Sequence, residues 1–276
     1  MFTLNCKGKL IVFESPLVMG IVNITPDSFY AGSRFTNSDA ILSQAEKMIE
    51  EGADILDLGG QSTRPGSEAV TVEEELKRVI PNIGNIHRHF PDSITSVDTF
   101  YSKVAVEAVN AGASIVNDIS AGRQDEKMLT EVAALKVPFV AMHMRGNPST
   151  MQELTTYDNL VRELLDFFIE KKEQCRQAGI KDLIIDPGFG FAKTIGQNFE
   201  LLKNLSVLKM LDLPILVGLS RKSTIYKTLN ISAEEALNGT TVLNTIALMN
   251  GANIIRVHDV KEARETVKLF AELRSK

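Results

Sequence analysis

The sequence predicts one α/β domain folded as a closed (β/α)8 barrel, the TIM-barrel architecture, with an N-terminal β-hairpin closing its bottom. Two observations carry this. Short β-branched runs alternate with longer amphipathic stretches, which implies parallel strands joined by right-handed crossovers. A second signal is an internal recurrence. "EGADILDLG", "NAGASIVND", "QAGIKDLIID" and "MNGANIIRV" each show a helix end, a glycine and then a strand. The glycines Gly52, Gly112, Gly179 and Gly251 are spaced widely enough for two βα units of roughly 30 residues or more in each gap. Four such pairs make eight strands, and 276 residues suit a barrel of typically ~250. An open doubly wound sheet is the alternative, weakened because no G-x-G-x-x-G follows an early strand.

The elements follow in order. Residues 1–16 contain a Lys7-Gly8 turn between two extended runs, hence the hairpin. The eight strands are read at 17–22, 54–59, 94–98, 114–118, 138–142, 182–186, 214–218 and 253–257. After the second strand, Val72, Leu76, Val79, Ile80 and Ile83 recur at helical spacing, and "TVEE" places Glu74 three residues after Thr71, the pattern of a capping box. No linker or second domain is evident, so residues 1–276 read as one domain.

Composition narrows the function classes. Acidic residues outnumber basic ones 35 to 30, for a net charge of −5, and no basic-aromatic stripe runs along the chain. Whole-protein attraction to nucleic acid or to an anionic membrane is therefore not expected. No apolar run approaches the ~20 residues of a spanning helix. The first residues lack the regions of a secretory signal. Cys6 and Cys175 form no metal knuckle, and Cys175 continues the apolar stripe Tyr157, Leu160, Leu164, Phe168. A soluble cytoplasmic protein with free thiols is the expectation.

In such a barrel the loops after the strands form the site. Polar residues fall there on nearly every strand. Strand 1 ends at Asn23, and strand 2 opens into "GGQSTRPGSE", with Ser62, Thr63 and Arg64. Strands 3, 4 and 6 end at Asp98, Asn117 and Asp186. Strand 5 ends near Met142 and His143, strand 7 runs into Arg221 and Lys222, and strand 8 carries Arg256 and His258. A single Asp at a strand end is more often a cap or turn residue than a ligand. Capping, however, needs no basic residues on strands 7 and 8, and an inward Arg is costly to bury without an anionic partner. Asp98, Asn117 and Asp186 suit a flat heterocycle with amino and ring N–H donors. Arg256, His258 and Asn23 suit phosphate oxygens, with a hard metal ion possible near Asn23. Lys222 could touch either group. A heterocycle with a phosphorylated arm is implied. His87 and His89, two apart on a helix, read as surface residues.

With these residues in place, the chain resembles the dihydropteroate synthase family. The resemblance runs from about residue 17 to about 265 through "MGIVNITPDSF", "DLGGQSTRPGSE", "SVDT", "VNDI", "MHMRGNPSTMQ", "DPGFGF", "GLSRKS" and "IIRVHDV". It implies condensation of 7,8-dihydropterin-6-ylmethyl diphosphate with p-aminobenzoate, by an SN1-like loss of diphosphate. It implies that Asp98, Asn117, Asp186 and Lys222 hold the pterin, with Met142 and Phe191 packed nearby. Thr63, Arg256 and His258 would hold the diphosphate, and Asn23 a Mg²⁺ ion. Phe29, Thr63, Arg64, Pro65, Gly66 and Ser223 would meet p-aminobenzoate. Lys222, Asp186, Arg256 and His258 are the expected catalytic set. A homodimer and sulfonamide sensitivity are also implied. Two positions depart from the family pattern: Ala31 and Gln61 stand where acidic residues are usual. Weighed against this are a methyltetrahydrofolate-dependent corrinoid methyltransferase and a non-catalytic pterin-binding protein.

Overall fold

The computed structural model describes residues 2–24, 37–61 and 70–274. Strands β1 (Thr3–Cys6) and β2 (Lys9–Val12) pair antiparallel across Lys7 and Gly8. Both turn residues have positive φ, the geometry of a tight primed turn. Eight parallel strands follow: β3 (Leu17–Asn23), β4 (Ile55–Gly59), β5 (Ile94–Asp98), β6 (Ile115–Asp118), β7 (Phe139–Met142), β8 (Leu183–Asp186), β9 (Leu216–Val217) and β10 (Ile254–Val257). Their order is β8-β7-β6-β5-β4-β3-β10-β9, and a parallel bridge from Ile185 to Ile215 joins the two ends. The sheet is thus a closed barrel, as the alternation predicts.

Helices α1 (Asn37–Glu50), α2 (Val72–His89), α3 (Ser102–Ala111), α4 (Met128–Leu135), α5 (Leu160–Ala178) and α6 (Ile195–Lys203) follow β3 to β8 in turn. Helices α7 (Ser223–Leu229) and α8 (Leu237–Met249) lie between β9 and β10, and α9 (Val260–Arg274) closes the chain. The four recurrent glycines explain the repeat. Each has φ near or above +95° just past a helix, where a side chain would be strained. Thr71 caps α2 by accepting the Glu74 N–H, but the expected reciprocal bond is replaced: the Glu74 carboxylate accepts from Arg78 at 2.9 Å. A full capping box instead starts α6, between Thr194 and Gln197.

Two apolar layers result. The larger lies between sheet and helices and includes Val22, Leu58, Val97, Val116, Phe168 and Cys175. The smaller fills the barrel. Met19, Ile55, Ile115, Val140, Ile184, Leu216 and Ile254 point inward and meet Leu4 and Cys6 of the hairpin, which plugs the bottom. Both cysteines are buried and unpaired. No helix among the described residues is long and apolar enough to cross a membrane.

Candidate active site

The site is the next layer above that plug. Side chains along a strand alternate faces, so a residue two positions after an inward one also points inward. Two residues beyond Ile55, Ile115, Val140, Ile184 and Ile254 come Asp57, Asn117, Met142, Asp186 and Arg256. The apolar layer thus gives way to a polar one at one level of the barrel, towards the C-terminal ends of the strands.

Its centre is an ion-pair network. Arg256 donates from Nε to Asp57 at 2.6 Å and from Nη2 to Asp98 at 2.7 Å. Asn117 donates to the same Asp57 oxygen at 3.0 Å. Asp57 is fully buried, and its other oxygen has no hydrogen-bond partner among the described residues. Burial opposes the Arg256 charge, but Asp57 and Asp98 outweigh it and raise its pKa above the ordinary value. Burial raises the Asp98 carboxyl to about 7, against the pull of Arg256. Arg256 therefore has carboxylate partners within the protein, and it ties the Asp98 side of the pocket to its own.

Across the barrel, Asp186 is 7% exposed and accepts the Gly188 N–H at 2.7 Å. Burial raises its pKa, with Lys222 pulling it back. Lys222 starts α7. Its Nζ donates to the Phe189 carbonyl and lies 4.8 Å from the centre of the Phe191 ring. Burial lowers this lysine to about 8, with Asp186 opposing. Met142 is buried in a small cluster with Phe100, Ile119 and Ala192, against which Phe191 packs. Asp186, Lys222, Met142 and Phe191 stand together on this side of the barrel.

His258 sits at the rim after β10. The Ser220 hydroxyl accepts its backbone N–H at 3.2 Å and lies 3.0 Å from Nδ1. A Ser220 hydroxyl that donates to Nδ1 leaves the ring proton on Nε2. Desolvation, then Arg256, lowers the pKa to about 4, and the ring carries an N–H donor in either protonation state. Asn23 ends β3 and is exposed. Ser223 is half-buried at the start of α7. Arg221 points elsewhere. It is clamped by both oxygens of Asp259 and by the carbonyls of Ala233 and Glu234, so it braces the loop beside Lys222. His87 and His89 are on the surface. Phe29, Ala31, Thr63, Arg64, Pro65 and Gly66 lie outside the described residues.

Similarity to known proteins agrees with this geometry. Residues 19–258 match the pterin-binding enzyme family. The chain is 44% identical to the dihydropteroate synthase of Escherichia coli K12 over 268 residues, which covers 96% of this chain and 94% of that one. It is 45% identical to that of Synechocystis over 255 residues, 91% and 88% of the two chains. The chain belongs to the dihydropteroate synthase family of pterin-binding enzymes. Solved structures of the family superpose closely. One from Yersinia pestis, in a sulfonamide drug complex, gives a TM-score of 0.94 at 41% identity and covers both chains fully. One from Xanthomonas albilineans in complex with 7,8-dihydropteroate gives 0.90 at 38% identity, again over the whole of both chains.

Three polar residues at or beside this family site escaped the sequence reading. Asp57 sits mid-strand rather than at a strand end. The signal that finds it is the in-face pair Ile55, Asp57: one charge on the inward side of an otherwise apolar strand. Lys193 is 4% exposed and contacts His143, yet in sequence it looks like an ordinary cation before a helix. Glu75 is fully buried; helical spacing places it on the Val72–Val79 face, but a carboxylate reads by residue type as solvent-facing.

Proposed function

We propose that this chain is a dihydropteroate synthase, joining 7,8-dihydropterin-6-ylmethyl diphosphate to p-aminobenzoate with release of pyrophosphate. The observation that carries this is the polar layer itself. Two carboxylates and an amide, Asp98, Asp186 and Asn117, face one pocket whose wall also presents Lys222, Arg256 and His258. A pterin ring offers an amino group and ring N–H groups to acceptors of this kind, while a diphosphate arm needs cations and N–H donors. Met142 and Phe191 supply apolar surface for the ring faces. The corrinoid methyltransferase and binding-protein readings gain no support from the Escherichia coli and Synechocystis relatives, which carry the synthase name.

In the reaction the C–O bond to diphosphate breaks heterolytically and the electron pair leaves with the diphosphate. The electron-rich reduced pterin delocalises the resulting cation, and the amine lone pair of p-aminobenzoate forms the C–N bond, its proton passing to solvent. Asp186, buried, and Asp98, half-buried, offset positive charge growing on the pterin. Arg256, already fixed by two carboxylates, needs no reorganisation to face the departing anion. His258 offers its Nε2–H to the same oxygens. p-Aminobenzoate is a weak nucleophile, so its positioning contributes more than a base does. Thr63, Arg64, Pro65, Gly66, Phe29 and Ser223 are proposed to hold it.

Mg²⁺ belongs to this reading. Among the described residues no group of three or more His, Cys, Asp or Glu could hold a metal alone. The exposed amide oxygen of Asn23, at the mouth, fits a hard cation that takes its remaining ligands from diphosphate and water. Bound there, Mg²⁺ would supply neutralising charge to the diphosphate.

We also read the chain as a cytoplasmic homodimer and a target of sulfonamides, which mimic p-aminobenzoate. The dimer is supported by an apolar stripe on α8, where Val242, Ile246 and Met249 are 48%, 37% and 63% exposed. A stripe of this kind suits a second copy of the chain.

The test is an assay with Mg²⁺ and both substrates that follows pyrophosphate and dihydropteroate together. Both should form with wild-type protein, and both should be lost in Lys222→Ala. Slow pyrophosphate release without p-aminobenzoate supports dissociation before attack. An absolute need for p-aminobenzoate before any pyrophosphate appears counts against it. Neither product, despite pterin binding, refutes the assignment.

A further inference from the structure

The loop after β8, residues 187–193, carries Phe191 against Lys222 and follows directly on Asp186. Each residue from Gly188 to Lys193 has a backbone group bonded to a side chain. The buried Lys193 turns back under its own loop. Its Nζ donates to the carbonyls of Gly188 and Phe191, each at 3.0 Å, and lies 3.1 Å from His143 Nδ1. On the other side Asn198 of α6, 2% exposed, accepts the Gly190 N–H at 2.7 Å and donates to the Thr194 carbonyl at 2.7 Å. The Tyr157 hydroxyl donates to the Ala192 carbonyl at 2.9 Å. The loop also sits tightly on β7. At Gly188, φ is +70° and an added Cβ would lie 2.0 Å from the His143 carbonyl oxygen.

An ammonium has three N–H donors, and here three acceptors surround it. Lys193 therefore has no donor left for a substrate, and a full charge this deep is costly unless those bonds compensate it. Burial lowers its pKa to about 7, with Asp186 pulling the other way. His143 is held neutral, first by burial and then by Lys193.

We propose that Lys193, with Asn198, is a positioning residue for the pterin floor. It pins the Gly188–Phe191 backbone to the end of β7, and so sets where Asp186 and Phe191 meet the ring. The role rests on the functional reading above, and it separates the two halves of the pocket. The floor loop is framed by Lys193, whereas Arg256 and His258 are held by Asp57, Asp98 and Ser220, none of which Lys193 bonds.

The test is calorimetric titration of 6-hydroxymethyl-7,8-dihydropterin, and separately of pyrophosphate with Mg²⁺, into wild type, Lys193→Met and Asn198→Ala. A small displacement of a positioned group costs on the order of 10- to 100-fold. Pterin affinity is expected to fall by that factor in Lys193→Met while pyrophosphate affinity holds. KM for the pterin substrate should rise and KM for p-aminobenzoate stay unchanged. Asn198→Ala moves the same loop from its other side. It is expected to show the same split, and it decides the matter if Lys193→Met does not fold. Unchanged pterin affinity in a folded variant overturns the inference alone. Equal losses for pterin and pyrophosphate with a lowered Tm also overturn it, since they mark a purely structural lysine. Wild-type protein that binds no pterin overturns the functional reading and this inference together.

Discussion

Glu75 is a carboxyl sealed inside the protein, where α2 passes behind β4. The Gln61 amide donates to one of its oxygens at 2.7 Å, while the other oxygen is buried and unbonded among the described residues. Gln61 also pairs with Val70 through both N–H and C=O, at 2.9 and 3.1 Å, so one amide joins the two chain ends flanking residues 62–69. An amide supplies donor and acceptor at any pH, which a carboxylate at this position could not. Burial raises Glu75 from 4.5 to about 7, with the Gln61 hydrogen bond, the nearby Thr99 hydroxyl and the Arg78 charge opposing. Between those two values the folded chain keeps a proton that the unfolded chain has lost. Stability from this group is therefore highest at or below pH 4.5, falls as pH rises to about 7, and is level above it. Glu75→Gln should remove that fall. Denaturant unfolding of wild type and variant at pH 5 and pH 8 should differ in pH dependence by roughly 2–3 kcal/mol. Identical pH dependence would show that Glu75 is ionised throughout. At this scale the sequence hid most. Gln61 stands out in sequence only as a departure from the family pattern, and its partners lie 9 and 14 residues away. Asp57 and Arg256 are 199 residues apart.

Elements were easier to read than residues, for a physical reason. Parallel strands buried on both sides show as continuous apolar runs, and each of the eight predicted runs overlaps an observed strand. Strand boundaries shifted where pairing stops early: β9 keeps only Leu216 and Val217 of the five residues predicted. The Thr71 cap was legible because N-cap chemistry is local. The fate of Glu74 was not, because Arg78 competes for it. Helix α8 carries a prediction of its own. Val242, Ile246 and Met249 recur at i, i+4, i+7, so they form one stripe. Burying it against a second copy would remove apolar area worth about 25 cal/mol per Å². Sedimentation should give about twice the 30.4 kDa chain mass for wild type, and the single-chain mass for Ile246→Glu. A monomeric wild type would leave the stripe without this role.

For the molecule as a whole, the barrel sorts its residues by height. The hairpin and the inward apolar layer close the bottom, and the polar layer two residues higher forms the pocket. A recurrent glycine in every second βα unit made this architecture visible, because each marks a positive-φ helix exit before a strand. The candidate site was legible wherever a polar residue ended a strand, as with Asp98, Asn117 and Asp186. It was hidden where the residue lay mid-strand or reached back from a loop, as with Asp57 and Lys193. The central claim is that one pocket, built from several strand ends, binds the pterin. The measurement that tests it most directly is titration of a dihydropterin into wild type, Asp186→Ala and Asn117→Ala, with Tm followed in parallel. The account predicts at least about 10-fold weaker binding in each variant, the loss of a buried hydrogen bond to the ligand, with the fold retained. Undiminished binding in both folded variants would place the pterin elsewhere and contradict it.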